Sequence, residues 1–364
     1  MIKVLHILDG MNYGGIQAFI MNVYRKINLN EVRFDFLLNN DYPKNYYEEI
    51  KKLGGHIFFV TPRNKGILKN INGLNAFFKK NKYDVVHFHE SSLSYITPLI
   101  VAKKYGVKTR IIHSHSTHID GGFFHKALHF INKKRIHKFA THYFACGEMA
   151  ASWMFSKTKC YDKVKLIRNG IILKNYEFKD EIRNKIRRDY NLLSDSLVIG
   201  HIGRFETVKN HSFLLDVFSK IIQKKPNSIL MLVGDGSLIT EIKDKAKVLK
   251  IDDKIKFLGV INNVNEILQA IDVFVLPSLF EGFPISLIEA EAVGIPAVVS
   301  DSVSKEVGIN LNVHFLPLDK TLDEWSEIII SCVNKNDYRD KVNPKIKEYD
   351  IENVISILME VYHA

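Results

Sequence analysis

Short apolar runs rich in Val, Ile and Phe recur along the first half of the chain: IKVLHIL, VRFDFLL, HIFFV, DVVHFH, TRIIHS, HYFAC and VKLI. Between most of them lie amphipathic stretches of helical spacing, such as GIQAFIMNVYRKI and SYITPLIVAKKYG. Continuous apolar runs suit strands covered on both faces, and their alternation with helices predicts a parallel sheet with helices on each side. A polar helical stretch, Lys179–Tyr190, follows IRNGIILKNYEF, and the pattern then restarts with LVIGHIG, ILMLVG, KIKFLG, DVFVLP and PAVVS. The expected class is α/β: two doubly wound, Rossmann-like domains in tandem, hinged near the turn-forming pair Asn169–Gly170. The expected boundaries are 1–170, 171–345 and an amphipathic helix in 346–364 that either stays on the second domain or crosses back to the first. Such sheets bind ligands beyond the carboxyl ends of their strands, and two such edges facing each other would make a cleft.

Length and composition leave this picture intact. A chain of 364 residues accommodates two domains of ordinary size. Apolar residues at 46% and charged residues at 25% exclude a disordered or collagenous chain. No apolar run approaches the roughly 20 residues that span a bilayer. The apolar part of MIKVLHILDGMNYGG is too short for a signal peptide and reads as a buried first strand. Three scattered cysteines, Cys146, Cys160 and Cys332, point to a reducing cytoplasm and against a disulfide framework or a zinc site.

Charge adds an asymmetry. Residues 1–170 hold 27 Lys+Arg against 11 Asp+Glu, a balance of +16, whereas residues 171–364 hold 24 against 29. The basic half suits a nucleic acid, an anionic membrane surface or a phosphorylated substrate, or is simply a lysine-rich solubilising surface.

Four loops carry candidate chemistry. In LDGMNYGGIQAFI, Gly14 and Gly15 follow the first strand and open a helix, where backbone N–H groups suit phosphate; the spacing is not GxGxxG. In GHIGRFETVKN, Arg204 and Lys209 stand five residues apart above a strand end and can clamp a diphosphate, or are two surface cations. In LVGDGSL, Gly234 and Gly236 let backbone approach something flat or charged, and in FLGVI a nucleotide base could meet backbone near Val260; both turns also read as ordinary strand ends. In LPSLFEGFPISLIEAEAVGIPAVVSD, Pro284 fits the first turn of a helix, so that Gly282 and Phe283 would present N–H groups at its N-terminus. Glu281 lies just outside and can accept hydrogen bonds from a sugar; Glu289 lies among Ile, Leu and Ala, where a carboxylate needs partners such as the two vicinal hydroxyls of ribose.

GRFETVKN, LVGDG and EGFPISLIE, with DGMNYGG at the start, together resemble the retaining glycosyltransferases of family 4, which have the GT-B fold; the glutamate pair matches that family's E-x7-E signature. Within the family the motifs look most like those of bacterial exopolysaccharide and capsule transferases. The resemblance implies that Arg204 and Lys209 bind a donor diphosphate, Glu289 the ribose and Glu281 the transferred sugar. It further implies that Gly15 meets the phosphates across the cleft and that the base lies near Gly234 and Val260. The donor implied is most often a UDP-sugar, though GDP-sugar donors occur, with no cofactor and no metal, because Arg, Lys and helix ends neutralise the leaving diphosphate. The chain departs from the family at Ile16-Gln17, where Ala-Glu is common, and at Ile172, where an acid is common.

The stretch RIIHSHSTHIDGGFFHK carries His113, His115, His118 and His125, a spacing that raises zinc; a strand running into a loop offers poor tetrahedral geometry, and no metal is assigned. The resemblance places one histidine after this strand beside the donor sugar. His115 is chosen, with His113 expected on the opposite face. In Gly121–Phe139, Phe123, Phe124, Ala127, Leu128 and Ile131 form an apolar face beside Lys126, Lys133, Lys134, Arg135 and Lys138. That pattern reads as a membrane-surface helix, or as a core helix with a solvated basic face.

The function expected is transfer of a hexose or N-acetylhexosamine from a nucleotide diphosphate sugar to a saccharide acceptor, lipid-diphosphate-linked, at the cytoplasmic face of the plasma membrane. The rivals are a nucleotide-sugar epimerase of similar build, a non-catalytic sugar-nucleotide binder, and a nucleic-acid-binding protein using the basic half. The last lacks interleaved aromatic and basic platforms.

Overall fold

The structure, a computed structural model, describes residues 1–12, 14–42, 46–116, 122–333, 339 and 342–364. They form two compact units, Met1–Ile171 with Glu348–Ala364, and Ile172–Lys347.

The first unit is built on a parallel seven-stranded sheet: β1 (Ile2–Leu8), β2 (Val32–Leu38), β3 (Ile57–Phe59), β4 (Val85–Glu90), β5 (Thr109–Ser114), β6 (His142–Ala145) and β7 (Val164–Leu166). The strand order is β3-β2-β1-β4-β5-β6-β7. All seven expected apolar runs are strands. The central ones are buried almost end to end, as coverage of both faces requires. The last helix, Ile351–Tyr362, belongs to this unit and packs on helix Gly15–Lys26. Its N-cap, Asp350, accepts from the Glu352 N–H, and its last residue, Tyr362, bonds His87 of β4 at 2.9 Å. Gly170 fits beneath it because a Cβ there would lie 3.0 Å from Ile351 and Val354.

The second unit holds a parallel six-stranded sheet: β8 (Val198–Ile202), β9 (Ile229–Val233), β10 (Ile255–Gly259), β11 (Val273–Leu276), β12 (Ala297–Ser300) and β13 (Val313–Leu316), in the order β10-β9-β8-β11-β12-β13. The apolar pattern does not announce β13. It lies at the sheet edge, with His314 exposed, so it lacks the continuous apolar run of the inner strands. Helix Asp180–Asp189 is anchored by Asp272, just before β11, whose carboxylate accepts from Arg183 at 2.5 Å, Arg187 at 3.3 Å and the Val198 N–H at 2.8 Å. That cluster pins β8 beside β11, the two strands that matter most below. The core here centres on Trp325, fully buried, with its indole N–H donated to the Pro317 carbonyl at 3.0 Å.

Helix Ile285–Ala292 is held through a buried acid. Glu291 is fully buried, and one of its oxygens accepts from the Ile309 and Asn310 N–H groups, each at 2.6 Å. Burial pushes its carboxyl up to about 8, from an ordinary value of 4.5. The unfolded chain loses this proton near pH 4.5 and the folded chain keeps it to about pH 8. The stabilisation is therefore complete at low pH and is lost as pH rises through that window, at up to about 1.4 kcal/mol per pH unit. Thermal melts of Glu291→Gln against wild type from pH 5 to pH 9 should show the variant gaining steadily on wild type. A difference independent of pH would mean that Glu291 stays ionised in the fold.

Candidate active site

Each sheet splits its connections at one place, between its first and fourth strands: β1 and β4 in one unit, β8 and β11 in the other. Loops leaving the carboxyl ends of such a pair diverge and open a crevice. In the second unit the loops tie to each other: the Leu279 N–H donates to the Val208 carbonyl at 2.8 Å, and Asn210 Nδ2 to the Pro277 carbonyl at 3.2 Å. Asn210 itself sits at φ 55°, a left-handed turn into helix His211–Lys224. The result is an ion pair between Lys209 Nζ and Glu281 Oε1, with side chains only 17% and 15% exposed. Ser278 Oγ donates to the same carboxylate at 3.2 Å. Two charges this withdrawn from water each depend on the other.

The other expected groups are distributed more unevenly. Arg204 lies on the same loop, but its side chain is 60% exposed and pairs with Glu206 at 3.5 Å. Glu289 is half-buried and accepts from the Tyr176 hydroxyl at 2.5 Å; burial pushes its carboxyl up to about 7. Tyr176, 113 residues upstream, carries no signal in the sequence that would pair it with Glu289. Pro284 is the N-cap rather than the first turn of helix Ile285–Ala292, which shifts the first helical N–H groups to Ile285 and Ser286, beyond Gly282 and Phe283. Val260 is 58% exposed just past β10.

Gly234 and Gly236 lie where two loops meet. A Cβ on Gly234, at φ +135°, would lie 2.0 Å from the Gly203 carbonyl oxygen, and one on Gly236 would lie 2.6 Å from Phe205 backbone. The two loops after β8 and β9 press on each other there, so close loop packing requires a glycine at both positions.

In the first unit Gly14 is the extended N-cap of helix Gly15–Lys26, and no atom of the described residues lies within 4 Å of where a Gly15 Cβ would stand. Glu90, at the end of β4, is a carboxylate that sequence reasoning missed. Burial, with Asp9 nearby, pushes it up to about 8. The His115 N–H donates to its carbonyl at 3.3 Å. His113 does not point away from His115. Residues two apart on an extended chain share a face, and the two ring centroids lie 4.0 Å apart. His118 lies outside the described residues, and His125 is exposed.

Helix Phe123–Lys133 is amphipathic the wrong way round for a core helix. It buries His129 and Asn132 and exposes Phe123 and Phe124 at 80% each, with Phe130 at 59% and Ile131 at 51%. The buried polar pair is bound to loop backbone: His129 Nδ1 accepts from the Leu93 N–H at 3.0 Å, and Asn132 Nδ2 donates to the Leu93 carbonyl at 2.7 Å. Lys133, expected on the basic face, turns inward instead, donating to the Trp153 carbonyl at 2.8 Å. Lys126, Lys134, Arg135 and Lys138 remain exposed.

Two family profiles cover this architecture: Glycosyltransferase Family 4 matches residues 13–175, and Glycosyl transferases group 1 matches residues 182–349. EpsF of Bacillus subtilis is 33% identical over 372 residues, 99% of this chain and 96% of EpsF. The chain is a family 4 glycosyltransferase. The capsular polysaccharide biosynthesis glycosyltransferase CapH of Staphylococcus aureus is 25% identical to this transferase, over 100% of the chain and 99% of CapH. An Escherichia coli enzyme named UDP-Gal:alpha-D-GlcNAc-diphosphoundecaprenol alpha-1,3-galactosyltransferase is 30% identical over 67% of the chain and 66% of its own length. Anabaena HepE, solved in complex with UDP, superposes at a TM-score of 0.80 with 16% identity over 100% of both chains, which gives the transferase the GT-B fold. Among the described residues no helix is long and apolar enough to cross a membrane.

Proposed function

We propose that this glycosyltransferase moves a hexose or N-acetylhexosamine from a UDP-sugar to a lipid-diphosphate-linked saccharide, with retention at the anomeric carbon and without a metal. The Lys209–Glu281 pair at the β8/β11 split carries this reading. The donor diphosphate takes Lys209 as its counter-ion, which releases Glu281 to accept hydrogen bonds from the sugar hydroxyls. Arg204, exposed on the same loop, adds a second cation to the diphosphate. Glu289, steadied by Tyr176, keeps its other oxygen for the ribose. The bond between the anomeric carbon and the diphosphate oxygen breaks on the face where the acceptor hydroxyl adds. The departing oxygen takes that hydroxyl's proton, so no side-chain base is required. Lys209 supplies the charge that a metal would otherwise provide, and positioning supplies much of the rest of the rate. In the first unit, His115 and Glu90 are the groups offered to saccharide. The donor and acceptor in the name of the Escherichia coli relative, a UDP-sugar and a diphosphoundecaprenol-linked one, support the substrate classes.

The lipid-linked acceptor brings the enzyme to the inner face of the plasma membrane. Helix Phe123–Lys133 supplies the contact: its exposed phenylalanines enter the headgroup layer while Lys126, Lys134, Arg135 and Lys138 meet anionic lipid.

Lys209→Gln and Glu281→Gln should each lower transfer from a UDP-sugar by about a thousandfold or more while melting as cooperative folded proteins. Wild-type turnover in either variant removes the active-site assignment. For the membrane contact, Phe123→Ser with Phe124→Ser should cut co-sedimentation with anionic vesicles by about tenfold or more, and high salt should release wild type. Equal binding of wild type to neutral and anionic vesicles would contradict the electrostatic part.

A further inference from the structure

The first unit holds a histidine cluster of which the proposed transfer uses only His115. His6 comes from β1, His87 and His89 from β4, His113 from β5, and His115 lies just past it. Register sets His6 beside His87 and His89 beside His113, so five imidazoles gather on one face of three adjacent strands. Phe19, Phe34, Phe36 and Phe144 pack around them.

The rings join in two short chains. Tyr362 bonds His87 at 2.9 Å, and His87 bonds His113 at 3.1 Å. His6 bonds His89 at 2.9 Å, and His89 bonds His115 at 2.9 Å. The chains leave His6 Nε2, His113 Nε2 and His115 Nδ1 buried without a partner among the described residues. A neutral imidazole carries one N–H and one lone pair. Whichever tautomers are chosen, each chain therefore ends in an unsatisfied donor or lone pair, at a cost of about 1–3 kcal/mol per buried group. Burial lowers the basicity of these rings, which favours the neutral, ligating form.

One nitrogen from each of His89, His113 and His115 lies within 4.8 Å of the others, and the same holds for His6, His87 and His89. Tetrahedral zinc with nitrogen ligands needs separations of roughly 3.4 Å, within reach of small ring rotations. The two triads differ in access. His6, His87 and His89 are all buried, whereas His115 is only partly buried and lies at the edge of its triad.

We propose that His89, His113 and His115 form a binding site for a divalent transition-metal ion of the zinc class. Three neutral imidazoles with no hard oxygen ligand select zinc, cobalt, nickel or copper over magnesium and calcium. Two sets of the hydrogen bonds present supply the outer shell: His6 orients His89 through the Nε2 of His89, and His87, itself held by Tyr362, orients His113; the bond between His89 Nδ1 and His115 Nε2 gives way to the ion. Because His115 is also a group offered to saccharide, the bound ion withdraws it, and zinc acts as a reversible inhibitor rather than a cofactor. Only that consequence rests on the proposed transfer. The site itself stands on the cluster.

The test uses the full chain, stripped with a chelator and titrated with cobalt(II) as a spectroscopic probe. Wild type should take up one cobalt per chain with the intense visible absorption of a tetrahedral ion, and zinc should displace it. His115→Ala, at the accessible end, should weaken cobalt binding at least tenfold, as should His113→Ala if it folds. His125→Ala, an exposed histidine outside the cluster, should bind as wild type does. Weak octahedral absorption, no uptake by wild type, or unchanged affinity in His115→Ala would overturn the proposal. None of these readouts depends on a sugar donor.

Discussion

A parallel sheet whose first strand has its second on one side and its fourth on the other sends two consecutive sets of loops in opposite directions. Everything distinctive about the second unit follows from that split. The loop after β8 and the loop after β11 start side by side and then part, with one bond between Leu279 and Val208 and one between Asn210 and Pro277 to hold their bases together. Lys209 and Glu281, 72 residues apart in sequence, have no other reason to meet. The Asp272 cluster keeps β8 beside β11, the buried Trp325 fills the core beneath, and Glu291 fastens the helix that follows the second loop. Stability and chemistry thus rest on the same strand pair.

The withdrawn Lys209–Glu281 pair also fits the chemistry proposed for it. A lone cation in such a place would be costly, and so would a lone carboxylate. Paired, they hold each other until a phosphate and a set of hydroxyls offer each a replacement. The first unit solves a different problem. Its helix Phe123–Lys133 spends its buried face on histidine and asparagine that bind loop backbone, which leaves the aromatic residues outside.

Local features were legible in the sequence, and cross-strand geometry was not. Continuous apolar runs gave twelve of the thirteen strands, and β13 escaped because an edge strand needs no such run. The Lys209 loop and the Glu281 loop stood out because their residue types suit a charged ligand, and the structure brings those two side chains together. The loop packing at Gly234 and Gly236 was not legible because a glycine that admits a ligand and one that admits a neighbouring loop look the same in one dimension. Lys133 was assigned to the basic face by its helical position, yet its long side chain reaches back to Trp153. Tyr176 and Glu90 were invisible because burial, not spacing, gives them their character. The histidine cluster draws on three strands, so RIIHSHSTH shows only its edge.

The most direct measurement is a crystal structure of the transferase with an intact UDP-sugar bound. The account predicts Lys209 Nζ about 3 Å from a diphosphate oxygen, Glu281 no longer paired with it and instead bonded to a sugar hydroxyl. A donor bound elsewhere, or one that leaves the Lys209–Glu281 pair intact, would contradict it.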